Sequence, residues 1–287
     1  MENKLITRYA SVVALDAGGA VLAETGGYYR VGFDFLTRIG DSAHECSIRI
    51  YNLPEGMEAK IKRGAKAARL IAGSKEKHGE VFFGEVVDAF SVKVDTYSYL
   101  QLALMDGDSF YSSYIAASIG AGESLGRVAE TCVQSCSSPL EIGYIPAKAY
   151  GVKLPRGTVL FGSPADALAS VAKSLDAVYY VLKGRFYMIG IQDNPFGGIM
   201  YMDQDNGLLS VLTMDQWYAS FCNDINSALT IGRLVSFDLK NGGGHYRVAS
   251  VHGEGDTKDG NWRLLVTAMG QSGSAPSMAA VTNNVWR

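Results

Sequence analysis

The sequence predicts an α+β chain that is predominantly β, in which an α+β insert separates two related small antiparallel β-barrel domains. Three observations lead to this fold class. The first and last thirds of the chain contain strand-length runs of alternating apolar and polar residues, and the middle third changes to a helical period. The two β regions also share one order of parts, which indicates an internal duplication.

The first β-barrel-like domain is predicted to cover residues 1–107. Residues 47–51 alternate in hydrophobicity and lead into a turn of sequence Asn-Leu-Pro-Glu-Gly at 52–56. Two apolar runs of strand length follow, and residues 97–104 alternate again. Because alternation gives a strand one buried and one solvated face, we expect an antiparallel meander or a small barrel.

The middle of the chain, residues 108–200, is predicted to form the α+β insert. Two helices are predicted in it. The later one is expected to begin at Ser163, a capping residue that is followed by Pro164 and Asp166 in the first turn. Further on, Lys183-Gly184-Arg185 separates two apolar runs, which is typical of a β-hairpin. The first helix is indicated by one apolar stripe at helical spacing, formed by Leu125, Val128, Ala129, Cys132, Val133 and Cys136.

The second β-barrel-like domain is predicted to cover residues 201–270, and the polar, alanine-rich residues 271–287 are predicted to be a tail. Turns are expected at the three glycines 242–244 and at the polar residues 256–261. These turns separate three predicted strands, at residues 229–239, 246–251 and 262–269.

The order of parts in the two β regions supports the duplication. In the first region Ile61-x-x-Gly64 precedes the apolar runs, and in the second region Leu229-x-x-Gly232 does the same. Each region ends with a similar sequence segment, LQLALMDG at 100–107 and RLLVTAMG at 263–270. The identity is weak, so two unrelated meanders remain the alternative to a duplicated domain.

Composition limits the classes of function. The 287 residues are 47% hydrophobic and 19% charged, which is enough for a packed core and makes a folded chain the default expectation. A net charge of −3 disfavours nucleic-acid binding, which rests on basic residues. The chain has no uninterrupted apolar run long enough to span a membrane, no secretory signal at its start, and only four cysteines. We therefore expect a protein that folds in a reducing cytoplasm and does not insert into membranes.

The cysteines and histidines offer few candidates for chemistry. Cys132 and Cys136 have a spacing that two metal ligands could use, but they lie on the apolar stripe of their own helix, so buried structural thiols are favoured. Cys46 and Cys222 stand alone and are interpreted in the same way. The four histidines lie in or beside predicted turns, in no catalytic motif that we recognise: His44, His78, His245 and His252.

Two acidic motifs also do not meet the requirements of a metal-binding or catalytic site. Asp203-x-Asp205-x-Gly207 resembles a calcium loop, but the position of the bidentate glutamate is Met214. Asp106-Gly107-Asp108 closes a predicted strand, where Asp-Gly is typical of a turn. The sequence therefore predicts no catalytic, cofactor-binding or metal-binding residue and no cofactor. The tyrosines are expected mostly on strands, some at an interface: Tyr28, Tyr29, Tyr97, Tyr99, Tyr111, Tyr114, Tyr179 and Tyr180.

Residues 48–107 resemble the opening of the phage tail baseplate hub family, which includes the hub of T-even phages, the late control protein D of temperate phages and the spike proteins of type VI secretion. Ser74 departs from the family, which often has an aromatic residue there. Residues 163–175 and 227–270 resemble the inserted and closing domains of the family. The opening resemblance rests on IRIYNL (48–53), Ile61-x-x-Gly64, ARLIAG (68–73), VFFGEV (81–86) and ALMDG (103–107).

The resemblance implies a structural function. Hubs of this family are similar to ring-forming homotrimers whose two β domains per subunit give six quasi-equivalent units, matching a hexameric tail tube on one side and a trimeric central spike on the other. It implies a non-enzymatic protein of the virion baseplate, assembled in the bacterial cytoplasm, with the tube protein and the spike protein as partners. Sheet edges in such a ring are protected by pairing between subunits.

Two alternatives remain open at this stage. A tail tube or distal-tail protein has related barrels and would form hexameric rings. A β-rich ligand-binding, glycan-binding or hydrolytic module would use the aromatic residues as a platform, with His245 or His252 near its site. Specific nucleic-acid binding is the least favoured function because of the acidic net charge.

Overall fold

Strands account for 51% of the described residues and helices for 16%, which confirms a predominantly β fold. The computed structural model describes residues 7–238 and 244–271. The predicted glycine turn at 242–244, except Gly244, and the predicted tail from residue 272 onward lie outside the described residues. Within the described residues, no helix has the length and apolar character needed to cross a membrane.

The elements of the first β region come in the following order. A short 3₁₀ helix lies between the second and third strands, and one α-helix, α1 (Glu55–Gly64), lies between the fourth and fifth. This helix follows the predicted turn and was not expected from the sequence. The strands are β1 (Arg8–Leu15), β2 (Val21–Glu24), β3 (Val31–Arg38), β4 (His44–Tyr51), β5 (Ala67–Ser74), β6 (His78–Val94) and β7 (Tyr97–Asp106).

The middle of the chain alternates helices and strands. Its helices are α2 (Asp108–Tyr111), α3 (Leu125–Gln134), α4 (Lys148–Gly151) and α5 (Pro164–Ser174). Its strands are β8 (Ile115–Ile119), β9 (Glu141–Tyr144), β10 (Thr158–Gly162), β11 (Ala177–Leu182) and β12 (Arg185–Gly190). The last third holds β13 (Met200–Tyr201), β14 (Leu208–Met214), β15 (Tyr218–Asn223), β16 (Leu234–Phe237), β17 (Gly244–Asp256) and β18 (Trp262–Gly270).

The middle segment packs around a hydrophobic cluster of its own, which includes Phe110, Val128, Leu168 and Phe186. The predicted apolar stripe of α3 is confirmed, because all six of its residues are buried. The predicted hairpin is also confirmed: β11 and β12 pair across Lys183-Gly184, both in the left-handed region. Ser163 precedes α5 as expected but makes no side-chain capping bond, whereas Ser124 accepts the Arg127 N–H at the start of α3.

The prediction of two separate β-barrels does not match the described residues, where no barrel closes. Instead, the strands of the first and last thirds form one open sheet in the order β14-β15-β18-β17-β3-β4-β7-β6-β5-β1-β2, with β13 and β16 attached beside β17. The reason is the length of β17. Its first residues pair with β16 and its last seven pair with β3, so the two β regions meet along a shared ladder.

Two differences in strand length accompany this shared ladder. The strand predicted at 229–239 is reduced to β16, because residues 229–233 form turns. The strand predicted at 246–251 continues as far as Asp256. One hydrophobic cluster then runs through both β regions and includes Phe35, Ile48, Phe221 and Val266. The first and last thirds of the chain therefore share a single core.

Two four-stranded units within this sheet have the same plan. In β3-β4-β7-β6 and in β14-β15-β18-β17 the strands stand side by side in the chain order first, second, fourth, third. The third strand of each unit carries a bulge against the fourth, at Val87 in β6 and at Ala249 in β17. In both units the residue before the bulge makes the same backbone hydrogen bond, 2.9 Å long. The N–H of Val86 donates to the carbonyl oxygen of Lys66, the residue before β5, and the N–H of Val248 donates to that of Arg233, the residue before β16.

A larger side chain at Gly253 would test how closely the two β regions pack along the β17–β3 ladder. A Cβ atom at this position would lie 2.2 Å from ring carbons of Phe35, which faces it from β3. We expect Gly253→Val to destabilise the chain by about 1 to 3 kcal/mol through overpacking, measured by urea unfolding. Gly56→Ala in α1 is the control, because nothing lies within 4 Å of its added Cβ. Equal effects of the two substitutions would contradict this account of the ladder.

Candidate assembly surface

The eight strands β14-β15-β18-β17-β3-β4-β7-β6 form a surface that we call the arc, with one covered face and one open face. Alternation along each strand separates the two faces. On β3, Phe33 and Phe35 are buried in the core while Asp34 between them is exposed. On β4, buried Ile48 alternates with the exposed Arg49. The open face of the arc therefore carries charged side chains, with half-buried Leu36 and Leu265 beside them, and the other face belongs to the core.

Charges of both signs are interspersed on the open face. The His252 Nε2 lies 3.1 Å from an Asp34 carboxylate oxygen across the β17–β3 ladder. The Arg263 Nε donates to Glu254 at 2.6 Å across the β17–β18 ladder. Partial burial opposes ionisation of Glu254, but the hydrogen bonds from Arg263 and Asn261 outweigh it and lower the pKa of this carboxyl. Polar side chains on the open face are thus paired across neighbouring strands.

The junction between β17 and β3 is reinforced at one end by a charged cluster. Arg30 donates from Nε and one terminal nitrogen to the Asp256 carboxylate at 3.0 Å. Although burial of Asp256 acts in the opposite direction, the bonds from Arg30 lower the pKa of its carboxyl. The Arg30 guanidinium also lies 4.7 Å from the ring centre of Tyr51. The junction is therefore held by both the backbone ladder and side chains.

The two outer edges of the arc expose large apolar side chains, and on β6 the exposed Asp88 and Lys93 lie among them. β5 pairs with β6 only from His78 to Glu85, so residues 87–94, which we call the distal half of β6, have no described strand on that side. The distal half exposes Val87 and Phe90, by 54% and 45%. At the other edge, β14 pairs only with β15 among the described strands, and it exposes Leu209 and Leu212 by 53% and 59%. Exposed apolar residues concentrated at sheet edges are typical of a surface that is covered on assembly.

The two ends of the arc differ. At one end lie two short hairpin connections, one between β6 and β7 at residues 94–97 and one between β17 and β18 at residues 256–262. The middle segment leaves from the opposite end, where β7 finishes at Asp106, and β18 also finishes at that end. The connections β3–β4 (residues 38–44) and β14–β15 (residues 214–218) also lie at that end. Each chain therefore presents two similar connections at each end of the arc, and the inserted segment lies at one end only.

A tyrosine cluster occupies the hairpin end of the first unit. The Tyr51 ring lies 5.9 Å from Tyr97 and 5.5 Å from Tyr99, measured between centroids. Tyr51 and Tyr97, together with Tyr28, which is 95% exposed, border a pocket of about 420 Å³. The prediction that the tyrosines lie mostly on strands is only half right. Of the eight named, four are on strands: Tyr97, Tyr99, Tyr179 and Tyr180.

Two buried charged residues fix the middle segment to the arc. Arg247 on β17 is fully buried and donates to the carbonyl oxygens of Gly232 (2.8 Å), Ile191 (3.0 Å) and Asp193 (2.5 Å). Burial lowers the pKa of its guanidinium. The sequence analysis missed Arg247, although a lone arginine within an apolar strand is a signal that could have found it.

Asp106 is the second of these residues. Its carboxylate is 2% exposed and accepts the backbone N–H groups of Lys183 and Gly184 (2.9 Å for Gly184) in the turn of the β11–β12 hairpin. Burial raises the pKa of this carboxyl to about 7, although both hydrogen bonds act in the opposite direction. The predicted turn after β7 is confirmed, since Gly107 has a φ of 87°. The anchoring role of Asp106 was not expected.

The cysteines named in the sequence analysis occupy core positions. All four are buried and free. Burial raises the pKa of the Cys132 thiol to about 12, with Cys136 as a smaller contribution. No cluster of three or more histidine, cysteine or acidic side chains suited to a metal occurs in the part of the chain that the structure describes.

The histidines are dispersed. His44 is buried with Nε2 2.8 Å from the Arg38 carbonyl oxygen, and burial lowers its pKa to about 4. His78 packs on Tyr9 at a centroid distance of 4.2 Å, and His245 lies opposite Ser236 at the start of β17. His252 lies inside β17, so its predicted position beside a turn is wrong. No hydrogen bond or ring contact within the described ranges joins two of these histidines.

The motif that resembles a calcium loop is a turn. Asp203 accepts hydrogen bonds from the backbone N–H and the side-chain amide of Asn206, at 2.8 and 2.9 Å. Gly207 has a φ of 89°, which a turn leading into β14 requires. The carboxylate of Asp203 is thus committed to its own loop.

The arrangement of strands has counterparts among solved structures. No protein-family model matches the sequence. No curated protein sequence matches it significantly. Solved structures do match the fold, and they show a phage tail baseplate hub-like fold.

Three of these structures define the likeness. The 43 kDa tail protein of prophage MuSo2 from Shewanella oneidensis matches 92% of this chain and 98% of its own, at 10% identity and a TM-score of 0.55. A tail protein from Neisseria meningitidis MC58 matches 91% and 96%, at 10% identity and 0.56. The Escherichia coli protein c3393, a type VI secretion component described as similar to the T4 tail proteins gp27 and gp5, matches 86% and 76%, at 6% identity and 0.60.

Proposed function

We propose that this chain is a non-enzymatic structural subunit of a phage or phage-like tail baseplate, the trimeric hub that joins a hexameric tail tube to a trimeric central spike. The observation that carries the proposal is the repeated four-stranded plan of the arc. The tail proteins and the secretion component that share the fold support the same setting, the virion tail. In this proposal the chain is assembled in the host cytoplasm.

The repeat explains how one chain could adapt two symmetries. Each chain contributes two units of the same plan, which are related domains of one duplicated ancestor in this proposal. Three chains in a closed ring would therefore contribute six units, as a hexameric tube requires. A ring of this kind closes through heterologous contacts that return to their start after three copies.

The two ends of the arc fit the two partners. The end without the inserted segment would present six similar turns in a trimer, two hairpins from each chain, and we assign it to the tube. The opposite end would present three inserted segments, since each chain has one segment anchored by Asp106 and Arg247. We assign that end to the spike. The symmetry mismatch would thus be resolved within each subunit.

The open face of the arc fits the lumen of such a ring. It carries opposite charges in a pair, Arg263 with Glu254. A surface without a block of positive charge would not retain DNA by neutralising its phosphates.

The native mass of the purified chain tests the proposal. We expect a species of about 92 kDa by light scattering, three times the chain mass of 30.8 kDa. A hexamer would instead favour a tail tube or distal-tail protein. A monomer that binds oligosaccharides at the tyrosine pocket would favour the glycan-binding module and contradict the hub.

A further inference from the structure

The β17–β3 junction shows how one four-stranded unit joins the next. β18 covers one side of β17, and two strands share the other side, β16 at residues 244–247 and β3 at residues 250–256. The bulge at Ala249 lies between the two pairings. The junction therefore forms immediately after the bulge in the third strand of a unit.

β6 has the same construction with its second pairing missing. β7 covers one side of β6, and β5 pairs with the other side only up to Glu85. The bulge at Val87 follows, as the bulge at Ala249 does in β17. Beyond it, the distal half of β6 has no described strand where β17 has β3. The distal half thus corresponds to residues 249–256 of β17.

β14 is the counterpart of β3. Asp34 on β3 lies opposite Ser47 on β4, and Thr213 on β14 lies opposite Ser220 on β15. Both are first strands of their units, but β3 has β17 on its outer side and β14 has no described strand there. Leu209 and Leu212 are the residues at the two register shifts of β14, where a bulge turns side chains outward.

From these correspondences we propose that the distal half of β6 in one copy docks antiparallel against β14 of a second copy. The occupant of each edge is therefore this same chain, joined as β17 and β3 are joined within it. In the internal junction Glu254 lies opposite Asp34, so Val92 of one copy is placed opposite Thr213 of the next. This contact rests on the proposed ring and names the surfaces that close it.

The side chains at the two edges are complementary. The distal half of β6 exposes Val87 and Phe90, and β14 exposes Leu209 and Leu212. β14 carries no charged residue along its seven positions. At the internal junction, the place of Phe90 is taken by His252, which contacts Asp34. The contact between copies is therefore more apolar than the junction within a copy, as expected for a surface that is buried only on assembly.

Disulfide cross-linking measures the proposed register. The double variant Val92→Cys/Thr213→Cys is treated with a mild oxidant and resolved on a denaturing gel without reductant. Directly opposed residues in an antiparallel ladder have Cα atoms about 4.5 to 5.5 Å apart, which a disulfide accepts. We expect covalent dimers and trimers that collapse to the monomer on reduction. The control is Val92→Cys/Ser220→Cys, because Ser220 lies one strand further in and the two Cα atoms would be about 10 Å apart.

Charge introduced at the edge tests the contact independently of the thiols. We expect Leu209→Asp/Leu212→Asp to shift the native mass from trimer to monomer at micromolar concentration. Both leucines are more than half exposed, so the folded chain should keep its circular dichroism spectrum and thermal midpoint. The matched control is Val21→Asp on β2, an edge strand with a residue of similar exposure (62%) that the proposal leaves unpaired.

The outcomes separate this contact from the hub function. Cross-linked trimers together with a monomeric leucine variant support it. A wild-type trimer that neither cross-links nor responds to the leucine substitutions overturns the β6–β14 contact and leaves the hub intact. A trimer that is lost on Val21→Asp instead assigns the contact to β2. A wild-type monomer that gives no cross-link overturns both proposals.

Discussion

Replacement of Arg247 by methionine is expected to lower the free energy of unfolding by about 3 to 5 kcal/mol. Arg247 is fully buried, and it supplies hydrogen bonds to the carbonyl oxygens of Gly232, Ile191 and Asp193. Methionine fills a similar volume, but it leaves these three acceptors without a donor in the core. The loss falls on the connection between β17 and the segment that follows β12.

Urea unfolding followed by circular dichroism measures this loss. The control is Arg263→Met, because Arg263 is partly exposed and bonds to Glu254 on the open face. We expect the control to change stability by at most about 1 kcal/mol, the range of exposed ion pairs. If the Arg247 variant unfolds at the wild-type urea concentration, the buried guanidinium does not hold the segment in place.

Asp106 is expected to give the chain a pH-dependent stability. Burial raises the pKa of its carboxyl in the folded chain to about 7, from an ordinary value of 3.8. Between these values the folded chain keeps a proton that the unfolded chain has released. Folding is therefore favoured at the acidic end, and the contribution of Asp106 falls as pH rises towards 7. Neighbouring Glu80 and Glu85 act in the same direction as burial.

Asp106→Asn isolates this contribution, because asparagine resembles the protonated acid and does not titrate. The stability of the wild type minus that of the variant should fall by up to about 1.4 kcal/mol per pH unit between pH 4 and 7, the limit for one proton. Glu254→Gln is the control of opposite sign, since the pKa of Glu254 is lowered and its contribution is lost as pH falls. A difference that does not change with pH would show that Asp106 is already ionised in the folded chain.

The local elements of the fold could be predicted from sequence because their signals are local. The stripe from Leu125 to Val133 forms one side of α3, buried Cys136 follows two residues after the end of the helix, and Lys183-Gly184 turns the predicted hairpin. The Asp-Gly pair ends β7 as expected. In each case a few neighbouring residues determine the backbone, so periodicity and turn chemistry suffice.

The assembly surface depends on contacts that no local pattern contains. β17 continues through Gly253 and Gly255, which look like the end of a strand. They remain in the strand because the Phe35 and Phe33 rings of β3, more than 200 positions earlier, pack where their side chains would be. Arg247 and Asp106 were missed for a similar reason, since their partners are backbone groups of distant turns. A single sequence does not pair such positions.

The ladder between β17 and β3 also restricts how errors of assembly can arise. Since it joins two units within one polypeptide, the units enter any ring already in pairs. A ring made of such pairs contains an even number of units, so closures with five or seven are excluded by covalent linkage. Six separate units would need six correct encounters, whereas three chains need three. Because every second contact between neighbouring units lies within one chain, only half of the contacts in the ring have to form by collision between chains.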